Sequence, residues 1–158
     1  MKTKISAEQF WQFSLSIYAD EQVQKSLLHW QNEHGLNINL CLLLAYLDCH
    51  QLAISAAALT ELEACILDFD SQALKPLRGI RGYLKKHQTE ITQYPQLRKQ
   101  MLELELAFEK QQQQQLIATC QTLALVQDIR PNNLQLYVRA SELPLKADLD
   151  QALHAIQY

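Results

Sequence analysis

The chain has 158 residues, with 14 Lys/Arg against 17 Asp/Glu and a net charge of −3. Only three glycines and four prolines punctuate it, too few for the turns of a β-rich fold, so the composition excludes that class and points to all-α. A chain of this length is expected to form one domain, burying roughly 70% of its unfolded surface without disulfide or metal staples.

The N-terminus carries Lys2 and Lys4 but no apolar stretch behind them, so no secretory signal is expected. No later segment has membrane length, and a cytoplasmic location is the expectation. Ser6 opens Ser-Ala-Glu-Gln, a capping-box pattern, and a first helix runs to about residue 19. Phe10, Phe13, Ser14 and Ile17 share one face of it. Asp20 caps a second helix, with Val23, Leu27 and Trp30 at helical spacing, and Gly35 is its natural stop. Asn37 then caps the segment on which the rest is organised. Residues 38–47 are apolar apart from Asn39, and a helix apolar on every face must be surrounded by other elements. It is too short to cross a bilayer.

Ser55 caps a fourth helix over about 56–69, with Leu59, Leu62, Cys65, Ile66 and Phe69 inward. Ser71 is read as the start of a fifth helix, with Pro76 in or near its first turn and a stripe of Ala73, Leu77, Ile80 and Leu84. Gly79 and Gly82 lie off that stripe and mark either a close neighbour or a surface that must stay open. Pro95 opens a long helix to about residue 126, striped by Leu97, Met101, Leu104 and Phe108. Its glutamine run, 111–115, reads as a solvated helical turn, with a polyglutamine interaction segment as the alternative. Pro131 breaks the chain before short helices over 132–140 and 146–157, with Asp148 in the first turn of the last. The expected architecture is therefore all-α. It is a single compact domain of about seven helices around a buried central helix (38–50), with a long antiparallel hairpin over about 72–126.

Phe10-Trp11-x-Phe13-Ser14, then Tyr18, Val23, Leu28, Gln31, Gly35 and Asn39-Leu40, form a series that resembles an uncharacterised family of small helical proteins from gammaproteobacteria. That family's pattern is roughly FWxFSLxxYxxxxV…LxLQDxxGxDVNLLLF. Asn32, Asn37 and Ile38 replace its usual Asp, Asp and Val, and Tyr46 stands where Trp is common. Later matches are Pro76-Leu77-Arg78, Arg81, Leu84-Lys85, Glu105-Leu106, Glu109, Asn133-Leu134 and Tyr137. The chain is also similar to the type six secretion regulator A of vibrios. That resemblance implies a bacterial regulator of virulence functions, acting through protein contacts, with DNA as a second candidate target. The acidic net charge and the lack of a helix-turn-helix with a basic recognition helix argue that any direct DNA binding is weak.

The residues themselves offer no catalytic motif. Cys41, Cys49, Cys65 and Cys120 lack CxxC pairing and are read as small hydrophobes in apolar surroundings. The five histidines show no HxxxH or HExxH spacing, so no metal or cofactor is expected. Ser14 lacks a GxSxG context and is read as a satisfied hydroxyl.

Charge is unevenly distributed. Residues 1–70 hold 3 basic and 9 acidic side chains (net −6), 75–99 hold 7 and 1 (net +6), and 100–158 hold 4 and 7 (net −3). The basic block either faces a nucleic acid or pairs with the acidic helix that follows it. Winding both helices at about 100° per residue places Arg78 and Arg81 on one flank of the first stripe, and Glu105 and Glu109 on the matching flank of the second. Antiparallel packing then pairs Leu84 with Met101, Arg81 with Glu105, and Arg78 with Glu109, ideally through bidentate geometry. Arg78, further round the flank, is expected to be the more open of the two arginines.

Two roles remain open for this ladder: architecture, or a site made of Asn39, Arg78, Arg81, Glu105 and Glu109. Two functions follow. One is a regulator that binds a protein partner or a second copy of itself. The other is a binder of a small anionic ligand, or an enzyme of unrecognised type.

Overall fold

The computed structural model describes residues 5–140. The helix expected over 146–157 and the placement of Asp148 lie outside the described residues. Within them the chain forms seven α-helices. Helix α1 (Ala7–Tyr18) is capped by Ser6, whose Oγ accepts the Gln9 N–H, and α2 (Glu21–His34) by Asp20, which accepts from Gln22 and Val23. Gly35 ends α2 in the left-handed region at φ 67°, letting the Leu36 N–H turn back to the Trp30 carbonyl.

Helix α3 (Ile38–Cys49) is the core. Every residue from Asn39 to Tyr46, and Leu47 after it, is buried. It packs against α1, α2 and two later helices, which supply the all-round cover that its uninterrupted apolar sequence requires. Phe10 and Phe13 close on Tyr46 from α1, with ring centroids 5.6 and 5.1 Å away.

A two-residue strand β1 (Leu52–Ala53) leads into α4 (Ala56–Phe69), capped by Ser55. The fifth helix does not start afresh at Ser71 as expected. Residues 70–74 form a π-helical turn, in which the Lys75 N–H reaches the Asp70 carbonyl, and α5 (Lys75–Lys86) continues directly from it. Residues 56–86 are thus one uninterrupted helical rod with a widened turn in its middle. Pro76 explains the widening: its ring collides with the preceding turn of a regular α-helix, and it has no N–H to give. The extra residue also re-phases the inward stripe, so that Leu74 and Leu77 are buried where Ala73 was expected to lead.

Helix α6 (Tyr94–Cys120) returns antiparallel along this rod. It ends six residues earlier than expected. A short turn at 121–123 leads to strand β2 (Val126–Gln127), which pairs with β1 through Leu52↔Gln127 and Ala53↔Val126. This small antiparallel pair, absent from the all-helical expectation, ties the return loop to the α3–α4 connection. Helix α7 (Asn133–Ala140) closes over α3. Asp48, near the end of α3, caps it by accepting the Asn133 and Leu134 N–H groups at 2.9 and 3.2 Å. Burial nevertheless outweighs those hydrogen bonds and pushes the Asp48 carboxyl up to about 6.

Of the cysteines, Cys41 and Cys120 are buried and Cys65 half-buried, but Cys49 is exposed at the end of α3, contrary to the apolar setting expected of all four. Burial pushes the Cys41 and Cys120 thiols up to about 12 and about 11, far from reactive thiolates. Among the described residues no helix is long and apolar enough to cross a membrane.

Candidate functional site

The seam between the 56–86 rod and α6 carries the charges that the sequence placed on matching flanks. Arg81 Nη1 donates to both Glu105 carboxylate oxygens at 2.7 Å, and Arg78 Nη2 donates to Glu109 Oε1 at 2.7 Å. The expected register is present. The fork-to-fork geometry is not, because one guanidinium nitrogen serves both oxygens of Glu105. The expected order of exposure is reversed as well. The Arg78 side chain is 18% exposed and that of Arg81 42%. Arg78 sits deeper because the π turn delivers a third carboxylate: Asp70 lies 3.8 Å from it, and Glu105 3.9 Å.

Behind the ion pairs lies a layer of carboxamides. Asn39 Nδ2 donates to Glu109 Oε2 and to Gln112 Oε1. Asn37 Nδ2 donates to Gln112 Oε1 at 3.2 Å and to Asp70 Oδ1 at 3.3 Å, while its own Oδ1 caps α3. Gln112 Nε2 reaches Asp70 Oδ1 at 3.4 Å. Gln113 Nε2 donates to Asn39 Oδ1 at 3.1 Å and to Ser14 Oγ at 2.9 Å, and the Ser14 hydroxyl donates to the Phe10 carbonyl. Asn37, Asn39 and Gln112 thus each donate directly to a carboxylate, and Gln113 donates one N–H through Asn39 and the other to Ser14. The chain from Gln113 through Asn39 to Glu109 suits a low-dielectric seam, where each bond polarises the next.

The glutamine run is accordingly not a solvated turn throughout. Gln112 is 0% and Gln113 2% exposed. The sequence did contain the signal. Gln112 and Gln113 follow Glu109 at i+3 and i+4, so they continue the flank already occupied by Glu105 and Glu109. Asp70 had no comparable signal, because the π turn that swings it inward is invisible to a regular helical winding.

The structure brings all five candidate residues, Asn39, Arg78, Arg81, Glu105 and Glu109, into this one network. Four of them, all but Arg78, line a pocket of ≈ 290 Å³ bounded by α1, α3 and α6, with Arg81 reaching it from α5. Trp11, Tyr18 and Leu42 supply part of its apolar wall, and Gln113 also lines it. Burial raises the pKa of the Tyr18 phenol. Among the described residues no group of side chains could hold a metal ion, and the seam has no nucleophile set beside a base.

Beyond the seam, α5 and α6 continue as an arm. Between Leu77 and Glu105 no residue is fully buried. Ile80, Tyr83, Leu97 and Leu104 are exposed along it, together with Lys85, Lys86, Arg98 and Lys99. An all-helical protein with a buried carboxamide–carboxylate seam at the root of a basic hairpin arm is the class that fold and site define. Residues 9–116 match the family described as "Protein of unknown function (DUF2390)", and the chain belongs to that family. The matched span contains every seam residue and leaves out β2 and α7. No curated protein and no solved structure matches the chain.

Proposed function

We propose that this protein is a bacterial regulator that works by docking its α5–α6 arm onto an acidic protein partner, within the cytoplasm. The observation that carries this reading is the arm itself. Its apolar stripe is left half open, and Lys85, Lys86, Arg98 and Lys99 have no ion-pair partner among the described residues. Of the seven basic residues on 75–104, Arg78 and Arg81 are consumed by the seam. Lys75 pairs with Asp70, and the other four, Lys85, Lys86, Arg98 and Lys99, stand against Glu90 and Glu103, a surplus of two positive charges. Apolar side chains ringed by unpaired cations suit a protein surface of opposite charge. They suit DNA less well, because so short a row of phosphate contacts gives weak, salt-sensitive binding. The resemblance to the type six secretion regulator A of vibrios supports a role in control of type VI secretion and virulence.

The test is genetic and biochemical together. Reversing Lys85, Lys86, Arg98 and Lys99 to Glu should leave the helical spectrum unchanged and fail to restore type VI secretion transcript levels in a deletion strain. Full complementation by this variant would overturn the docking role of the arm. DNA mobility shifts over a salt range should show only weak binding near physiological salt. Salt-insensitive, sequence-specific retardation would overturn the preference for a protein partner.

A further inference from the structure

We propose that two copies of this chain pair antiparallel along the 56–86 rod, so that the acidic α4 of each meets the basic α5 of the other. The inference rests on the arm being a docking element, and it names the acidic partner as a second copy. The first observation is charge. Helix α4 carries Glu61, Glu63 and Asp68 and no Lys or Arg, a net of −3. Helix α5 carries five basic residues and no acid. Arg78 and Arg81 are spent on the seam and Lys75 on Asp70, which leaves Lys85 and Lys86. Among the described residues, neither these two lysines nor the three α4 carboxylates have an ion-pair partner. One continuous rod is therefore negative along its first half and positive along its second.

The second observation is the face that lies between those charges. Winding at about 100° per residue, with the π turn allowed its one extra residue, puts Ala64, Leu67 and Asp68 on the same outer side of the rod as Gly79, Tyr83 and Lys86. All six are exposed. Leu67 is 66% and Tyr83 62% exposed, although each belongs to a helix that already has its own buried face. Ala64 and Gly79 are small, and a Cβ added at Gly79 meets nothing within 4 Å, so the face has room for a neighbour's larger side chains. At roughly 1.5 Å per residue the rod is about 45 Å long, so two rods laid side by side can meet over several turns.

Symmetry and sign choose the arrangement. A parallel pair would set carboxylates against carboxylates, and an arm-to-arm pair would set lysines against lysines, and like charges so placed cost affinity. An antiparallel pair is isologous, with one contact made twice about a two-fold axis. Centred on the π turn, it sets Glu61 opposite Lys86 of the second copy and Leu67 opposite Ile80 of the second copy, in both directions at once. An unrelated acidic protein would use the basic half alone and leave Leu67 and the α4 carboxylates uncovered.

The experiment is sedimentation equilibrium of the full chain across the micromolar range. The parent should dimerise there, with at least roughly tenfold weaker association when salt is raised from about 0.05 to about 0.5 M. A variant with Glu61→Lys, Glu63→Lys and Asp68→Lys has a rod whose exposed charges are all positive. A variant with Lys85→Glu and Lys86→Glu has one whose exposed charges are all negative. The five positions are exposed, so both variants should keep the parent's helical circular dichroism. Each alone should be monomeric. An equimolar mixture should recover association, because both contacts then again join opposite charges. A parent that is monomeric throughout, a dimer that survives in either variant alone, or a mixture that stays monomeric would overturn the inference. The docking role fails separately. Complementation by an arm variant that no longer dimerises would remove that role and keep the dimer. A monomeric parent whose arm variant still fails to complement would keep the role and assign it an acidic partner of another kind.

Discussion

Arg78 and Arg81 occupy successive turns of one helix and carry the same charge, yet they should respond differently to truncation. Arg78 is largely buried and faces Asp70, Glu105 and Glu109. Arg78→Ala leaves three carboxylates together without their shared cation and should cost roughly 3–5 kcal/mol in denaturant unfolding. Arg81, 42% exposed, is screened by solvent, and Arg81→Ala should cost only about 1 kcal/mol. A double-mutant cycle between Arg78 and Glu109 should give the larger coupling energy of the two pairs. Equal costs at the two arginines would remove the case for Asp70 as a member of the seam. Asp48 makes a second prediction at this scale. Its carboxyl is raised from the ordinary range near 4 to about 6 by burial, so the folded protein binds that proton more tightly than the unfolded chain does. The stabilisation is fully present below about pH 4 and is lost as pH rises through 6. Thermal midpoints should fall over that window in the parent, and Asp48→Asn should flatten the fall.

At the scale of elements, α5 is weaker than it need be. Gly79 and Gly82 lie within a helix, neither has positive φ, and a methyl group added at either would meet nothing within 4 Å. Among the described residues, the close neighbour offered by the sequence as one explanation is not there. Gly79→Ala and Gly82→Ala should each stabilise the protein by roughly 0.5–1 kcal/mol, since alanine loses less backbone entropy on entering a helix. If the open surface is where a partner lies, the same variants keep or gain stability while weakening the regulatory phenotype. Pro76 and the π turn illustrate a different trade at this scale. A residue that would break a helix elsewhere is accommodated by widening one turn, and the widening turns Asp70 toward Asn37, Gln112 and Arg78.

For the whole molecule, α3 is the element whose loss the rest cannot survive. Leu43 is fully buried at its centre, and Leu43→Asp would bury a carboxylate with no partner provided for it. That variant should lose its helical circular dichroism and its cooperative thermal transition. A folded Leu43→Asp protein would show that α3 is less enclosed than its neighbours imply. The arm is the opposite case. It contributes little to the core, so charge reversals there should leave the unfolding midpoint nearly unchanged.

Local chemistry determined most of the helices and the ion-pair register before any packing was known. Ser6, Asp20, Asn37 and Ser55 cap the helices they precede in the sequence because a short polar side chain there meets free N–H groups. The burial of α3 follows from its having no polar face. The pairing of Arg81 with Glu105 and Arg78 with Glu109 follows from helical winding and a short connection. Only the tertiary structure decided which polar groups go inside. Gln112, Gln113 and Asp70 are buried because their partners, Asn37, Asn39 and Ser14, come from helices distant in sequence. The π turn, the exposure of Cys49 and the β1–β2 pair were likewise decided there. A burial or pairing that depends on where another helix lies cannot be inferred from the residues of one helix alone.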